Sequence, residues 1–140
     1  MMSNLGARPN NNGKEPPANP SPTDVEDLAR RWLLNQRARR WDQSRWLDLD
    51  AHDEVTALMV LSDDPRPGWD LVRALVRQSE NPQDIADIGI GPLEDLLRNH
   101  GPALLERTEQ LARADPQFRR ALHGINTREP ITSMLRRLKI

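Results

Sequence analysis

The sequence predicts an all-α fold of stacked short helices, arranged either as HEAT-like helix pairs or as an irregular bundle. Three observations predict it. A capping residue followed by proline recurs at Asn81-Pro82, Gly91-Pro92 and Asp115-Pro116, the combination that starts helices. Apolar residues return three and four positions apart in one segment after another. No two runs read as strands that would pair with each other, and the links between periodic segments are short, as in helical bundles.

The elements follow in order. Residues 1–22 are rich in Asn, Pro, Gly and Ser, with Pro9-Asn10-Asn11-Asn12-Gly13 and Pro16-Pro17-Ala18-Asn19-Pro20-Ser21-Pro22. They hold almost nothing to bury and cannot offset the entropy of ordering. They read as a disordered N-terminal arm ahead of a single helical domain over 23–140. Thr23 and Glu26 form a capping box. The helix behind it is expected to run to about Gln36, with Val25, Leu28, Ala29, Trp32 and Leu33 on one face. Glu26–Arg30 and Asp27–Arg31 are spaced as ion pairs on the other face. Residues 37–53 leave open one helix or two, and Trp46-Leu47-Asp48-Leu49 marks a second, shorter one. From Glu54 to Leu61 the chain is apolar nearly all round, which predicts a helix buried on every side; a strand is the alternative for so short a run, but no second strand is available to pair with it.

Ser62 to Gly68 reads as a loop, and a helix over 68–79 carries Trp69, Leu71, Val72, Ala74, Leu75 and Val76. Asn81-Pro82 opens a short helix to about Ile88. The run from Gly91 to Pro102 specifies a helix at both ends. Gly91 is its N-cap, Pro92 its first residue, and Glu94 and Asp95 put negative charge on the first turn. Gly101 closes it in a left-handed conformation, and Pro102 starts the next helix, to about 114. Leu93, Leu96 and Leu97 are its core face. Asp115-Pro116 opens a helix with Phe118, Ala121 and Leu122 inward, and Gly124 ends it. A basic helix from Pro130 to Leu138 finishes the chain.

Composition narrows the function classes. The 140 residues include no Cys, which excludes disulfides, thiolate metal sites and a thiol nucleophile. A cytoplasmic setting is expected. No apolar signal-like segment opens the chain, and no stretch approaches the ~18–20 apolar residues of a membrane helix. The net charge of -1 hides an asymmetry. Residues 41–100 carry 5 Lys/Arg against 13 Asp/Glu, a net of -8, while residues 1–40 stand at +3 and residues 101–140 at +4. Such a separation either steers a charged partner or folds back on itself.

Few residue groups carry chemistry. His100 and His123 each precede a glycine at a helix end, where an imidazole bonds the last carbonyls. His52 stands beside Asp53 and Glu54, but neighbouring helix residues point in different directions and make no ligand set. No metal site and no cofactor is expected. The carboxylates Asp84, Asp87, Glu94 and Asp95 are the one place for acid–base work, although Glu94 and Asp95 equally serve the helix start. Arg37, Arg39, Arg40, Trp41 and Arg45 interleave basic and aromatic character, and Arg136 and Arg137 add a second basic element. This is the best nucleic-acid signal in the chain.

Residues 62–125 resemble a small uncharacterised bacterial domain-of-unknown-function family. The shared words are Asp64-Pro65, Gly68-Trp69-Asp70-Leu71, Gly91-Pro92-Leu93-Glu94-Asp95-Leu96-Leu97, His100-Gly101 and Asp115-Pro116-Gln117-Phe118-Arg119-Arg120-Ala121-Leu122. Residues 126–140 stand outside what the resemblance covers. It implies an all-α fold similar to short HEAT-like helix pairs, and no established activity.

The expected function is a non-enzymatic protein-interaction module, such as a bacterial accessory, immunity or regulatory protein. Asp84, Asp87 and Asp95 are its expected partner-binding surface. The alternatives are a nucleic-acid binder using Arg37 to Trp46 with the C-terminal helix, and a hydrolase or transferase using the carboxylates.

Overall fold

A computed structural model describes residues 22–140, and the expected arm lies, except for Pro22, outside the described residues. Every regular element among them is helical. Helix α1 spans Pro22–Trp41, α2 Leu49–Thr56, α3 Arg66–Gln78, α4 Pro82–Ile88, α5 Glu94–Ala114, α6 Pro116–Ala121 and α7 Ile131–Arg137. Two π-helical turns, Ala57–Leu61 and Gly89–Leu93, follow α2 and α4. Helix lengths run from 6 to 21 residues, and α1 packs chiefly on α3 rather than on its neighbour α2. The architecture is an irregular helical array.

The core follows the predicted stripes. Val25, Leu28, Ala29, Trp32 and Leu33 of α1 are buried, as are the six apolar residues of α3 and Leu93, Leu96 and Leu97. Trp69 meets Phe118 edge-on, ring centroids 5.6 Å apart, a favoured aromatic geometry. One hydrophobic cluster runs from Val25 to Leu138. Local caps form where the sequence places them. Asn81 accepts from the Asp84 N–H at 2.9 Å, and Asp115 from the Gln117 N–H at 2.9 Å. Gly124 adopts φ 78°, the left-handed conformation that stops a helix.

Several boundaries differ from the sequence expectation. Helix α1 begins at Pro22, so Thr23 lies inside it, and the Glu26 carboxylate reaches across to Arg77 and Gln78 of α3. Glu26 is therefore not paired with Arg30, which bonds Asp27 instead at 2.7 Å. The helix continues past Gln36 to Trp41 because Arg37 and Arg40, three residues apart, both find carboxylates on α4. The second helix starts at Leu49, not Trp46. Asp48 caps it by accepting from the Ala51 N–H at 3.0 Å, and buried Asn35 accepts the N–H groups of Leu47 and Asp48 at 3.1 and 2.8 Å. Those bonds hold residues 46–48 outside helical geometry.

The segment after Glu54 is helical but not buried all round. Val55 and Met59 are enclosed, while Leu61 is 76% exposed at the end of the first π-turn. Gly91 does not cap a helix. The backbone passes from α4 through the second π-turn into α5 without leaving helical space, and the wider turn accommodates Pro92, which has no N–H to give. Gly101 is not left-handed, since among described glycines only Gly124 has positive φ. The two expected helices over 92–114 are present, meeting within α5 at a break where His100 leaves helical geometry (φ -133°, ψ 18°). The need for glycine at 101 is space, since a Cβ there would stand 2.9 Å from Ile131 Cγ1.

Candidate functional site

The acidic segment and the basic end of α1 meet each other. Asp84 is wholly buried and accepts from Arg37 at 2.8 Å, Arg40 at 2.7 Å and the Glu80 N–H at 2.8 Å. Burial pushes the Asp84 carboxyl up, and Arg37, the Glu80 N–H and Arg40 outweigh it, leaving its pKa at about 2. Asp87 takes the other side of the Arg40 guanidinium at 2.7 Å. Arg31 bonds Asp48 at 2.6 Å and approaches Glu54 at 3.4 Å. These arginines and carboxylates fasten α1 to α2 and α4.

That arrangement corrects two sequence expectations. Asp84 offers no surface to a partner and Asp87 offers little, so the expected acidic face reduces to Asp95. The basic-aromatic run is likewise mostly spent. Arg37 and Arg40 are ion-paired, Arg39 stacks over the Trp46 ring at 3.7 Å, and Arg137 bonds Glu109 at 3.0 Å. Trp41, at 93%, is exposed, and Arg45 and Arg136 form no ion pair among the described residues.

The same packing leaves a cleft of about 210 Å³. Helix α1 supplies Trp32 and Gln36, α2 supplies His52, Val55 and Thr56, and the first π-turn supplies Met59. Asp87 comes from α4, Ile90, Gly91 and Pro92 from the second π-turn, and Asp95 from α5. Both π-turns thus contribute to one cavity, and such turns recur at functional sites. The walls are mainly apolar with a few convergent polar groups, the pattern of a recognition cleft.

Two of those groups have no partner. His52 packs its ring on Trp46, centroids 4.6 Å apart, and its Nδ1 is buried without a hydrogen bond. The Asp95 carbonyl accepts from the Asn99 side chain at 2.8 Å, but the Asp95 carboxylate makes no hydrogen bond or ion pair among the described residues. Burial raises the Asp95 carboxyl above the usual range, and the neighbouring Glu94 adds to the rise, with Arg98 opposing. Glu94 does not act at its own helix start. It accepts from the Asn126 N–H at 2.8 Å and pairs with Arg98 at 3.5 Å.

The other histidines lie elsewhere. His100 Nε2 contacts the Ser62 carbonyl at 2.9 Å, so its partner belongs to the segment after the first π-turn and not to its own helix. His123 is exposed. Among the described residues no group of three His, Asp or Glu side chains is placed to hold a metal, and no helix is long and apolar enough to cross a membrane.

Sequence reasoning missed Gln36 and Asn35, and it did not connect His52 with Asp95. The available signal was Gly89-Ile90-Gly91, an isoleucine between glycines in a turn, where exposure is otherwise costly.

Residues 36–139 match DUF6869, a family of unknown function, and the chain belongs to that family. The match begins before residue 62 and takes in most of the segment after 126, which the sequence resemblance had left outside. Of the cleft residues, only Trp32 lies beyond the matched span. No curated protein and no solved structure matches the chain.

Proposed function

We propose that this member of a family of unknown function is a non-enzymatic protein-interaction module that receives its partner at the cleft. One observation carries the reading. The exposed large apolar side chains of the described residues all lie between Leu34 and Ile90, and none lies in α5, α6 or α7. Ile90, 62% exposed, lines the cleft, and Trp46 covers its His52. An exposed aliphatic side chain at the cleft and an aromatic one packed beside it are the kind of anchor that protein interfaces use. The ion-paired arginines beneath fix α1, α2 and α4, so the recess is preformed and costs little to organise on binding. A bacterial accessory, immunity or regulatory role in the cytoplasm suits such a module.

The test is site-specific photocrosslinking in the native cell. A photoreactive residue at position 90 should give one discrete protein adduct, lost when Trp46→Ser is added. The same residue at exposed position 139, on the C-terminal side, should give none. Equal adducts from both positions would sink the reading. Nucleic acid, not protein, crosslinked at position 45 beside exposed Trp41 would replace it with the nucleic-acid alternative.

A further inference from the structure

We propose that the cleft takes a basic side chain, arginine or lysine, presented by the protein partner. The proposal rests on the protein-binding reading and names the partner's chemistry at that site. Its first support is the unanswered carboxylate. Around Asp95 every other carboxylate has its cation: Asp84 has Arg37 and Arg40, Asp87 has Arg40, and Glu94 has Arg98. Arg98 is committed to Glu94 and to the Asn126 carbonyl at 2.9 Å. Asp95 is left half-buried, with burial and Glu94 both working against its charge. An incoming cation relieves that cost directly, because a neighbouring opposite charge favours the ionised form.

The second support is His52. His52 lines the same cleft as Asp95, and its Nδ1 has no hydrogen-bond partner. Guanidinium and ammonium groups bring several N–H donors and no acceptor, which matches the Asp95 carboxylate. An anionic ligand would instead meet Asp87 and Asp95.

The third support is shape. At about 210 Å³ the cleft is smaller than the roughly 300–1,000 Å³ of sites for whole drug-sized ligands. It suits one side chain. Trp32, Val55 and Met59 give the apolar wall along which a methylene stem lies while its charged head stays with the polar groups. Arg39 on the face of Trp46 already shows a guanidinium accommodated by an indole beside this site.

The experiment uses the full chain and blocked amino acids. N-acetyl-arginine methylamide and N-acetyl-lysine methylamide are titrated while NMR follows His52 and the Trp32 indole N–H. N-acetyl-norleucine methylamide is the uncharged control. A basic probe should saturate both signals with a Kd on the order of 1 mM. Asp95→Asn should weaken it about tenfold, and exposed Asp70→Asn should not. Gly91→Val should also abolish the shifts, since the position is open, with Trp32 Cζ2 the nearest atom at 3.7 Å from a Cβ. Equal binding of norleucine, or unchanged affinity in Asp95→Asn, overturns the proposal while leaving the crosslink at position 90 to judge the protein-binding reading. The saturating arginine probe should also suppress that crosslink. A probe that fills the cleft and leaves the adduct intact shows a free small cation as the ligand, and overturns the partner side chain.

Discussion

Replacing Asp84 by Asn removes the charge that ties α1 to α4 and preserves the side chain's shape. The carboxylate is inaccessible to solvent and accepts from Arg37, Arg40 and the Glu80 N–H. Its pKa of about 2 lies below the ordinary 3.8, despite a burial cost that acts the other way. That difference is worth about 2 kcal/mol at neutral pH. Removing one member of a fully enclosed ion pair costs about 3–5 kcal/mol. Here Arg37 and Arg40 remain 27% and 25% exposed and keep Glu80 and Asp87, which lowers the figure. The expected loss is about 2–3 kcal/mol, or on the order of 10 °C in melting temperature. Urea denaturation followed by circular dichroism measures it. A group whose folded pKa is depressed stabilises above its unfolded pKa and loses that contribution as pH falls through the folded one. The gap between wild type and variant should therefore close between about pH 4 and pH 2. A loss below about 1 kcal/mol at pH 7, the range of a surface pair, would show that Asp84 does not tie α1 to α4. So would a gap that does not change with acid.

Leu96, fully enclosed in α5, should cost about 2–5 kcal/mol when truncated to Ala, and a urea midpoint unchanged from wild type would show that its helix face is misassigned. Asn35→Ala deprives the Leu47 and Asp48 N–H groups and the Asp48 carbonyl of their partner, at about 2–4 kcal/mol. It should also speed tryptic cleavage after Arg45, and an unchanged cleavage rate would mean that this loop is held by something else.

The sequence carried the fold where the determinants are local. Apolar spacing placed the buried faces of α1, α3 and α5, and Asn81 and Asp115 cap their helices through bonds within three residues. It failed where distant contacts decide. Nothing near Arg37 says that α1 continues, because the reason lies on Asp84 and Asp87. Glycine carried the wrong meaning twice. Gly91 and Gly101 read as caps, yet one sits in a π-turn against Trp32 and the other lets α5 approach Ile131. Gly89 teaches the same lesson, since a Cβ there would collide with the Ala121 carbonyl. The cleft was illegible for a related reason. Its walls come from four helices and two π-turns, and no sequence neighbourhood holds both His52 and Asp95.

The charge pattern shows how the fold turns one signal into another. Thirteen acidic residues against five basic ones over 41–100 read as a surface for a charged partner. Folding assigns much of that charge to internal use. Arg31, Arg37 and Arg40, from the basic end, pair with Asp48, Glu54, Glu80, Asp84 and Asp87 from the middle and offset most of their charge. Segment totals therefore overstate the field a partner meets, because opposite charges a few ångströms apart cancel at a distance. Asp95 keeps a carboxylate without a counter-charge, held in a recess with an unsatisfied imidazole nitrogen. A single desolvated charge in a preformed pocket contributes more to specificity than a diffuse acidic flank, since an unpaired group there rejects every ligand that cannot answer it. On the proposed reading, recognition follows from the charge that folding leaves over, not from the charge that the sequence contains.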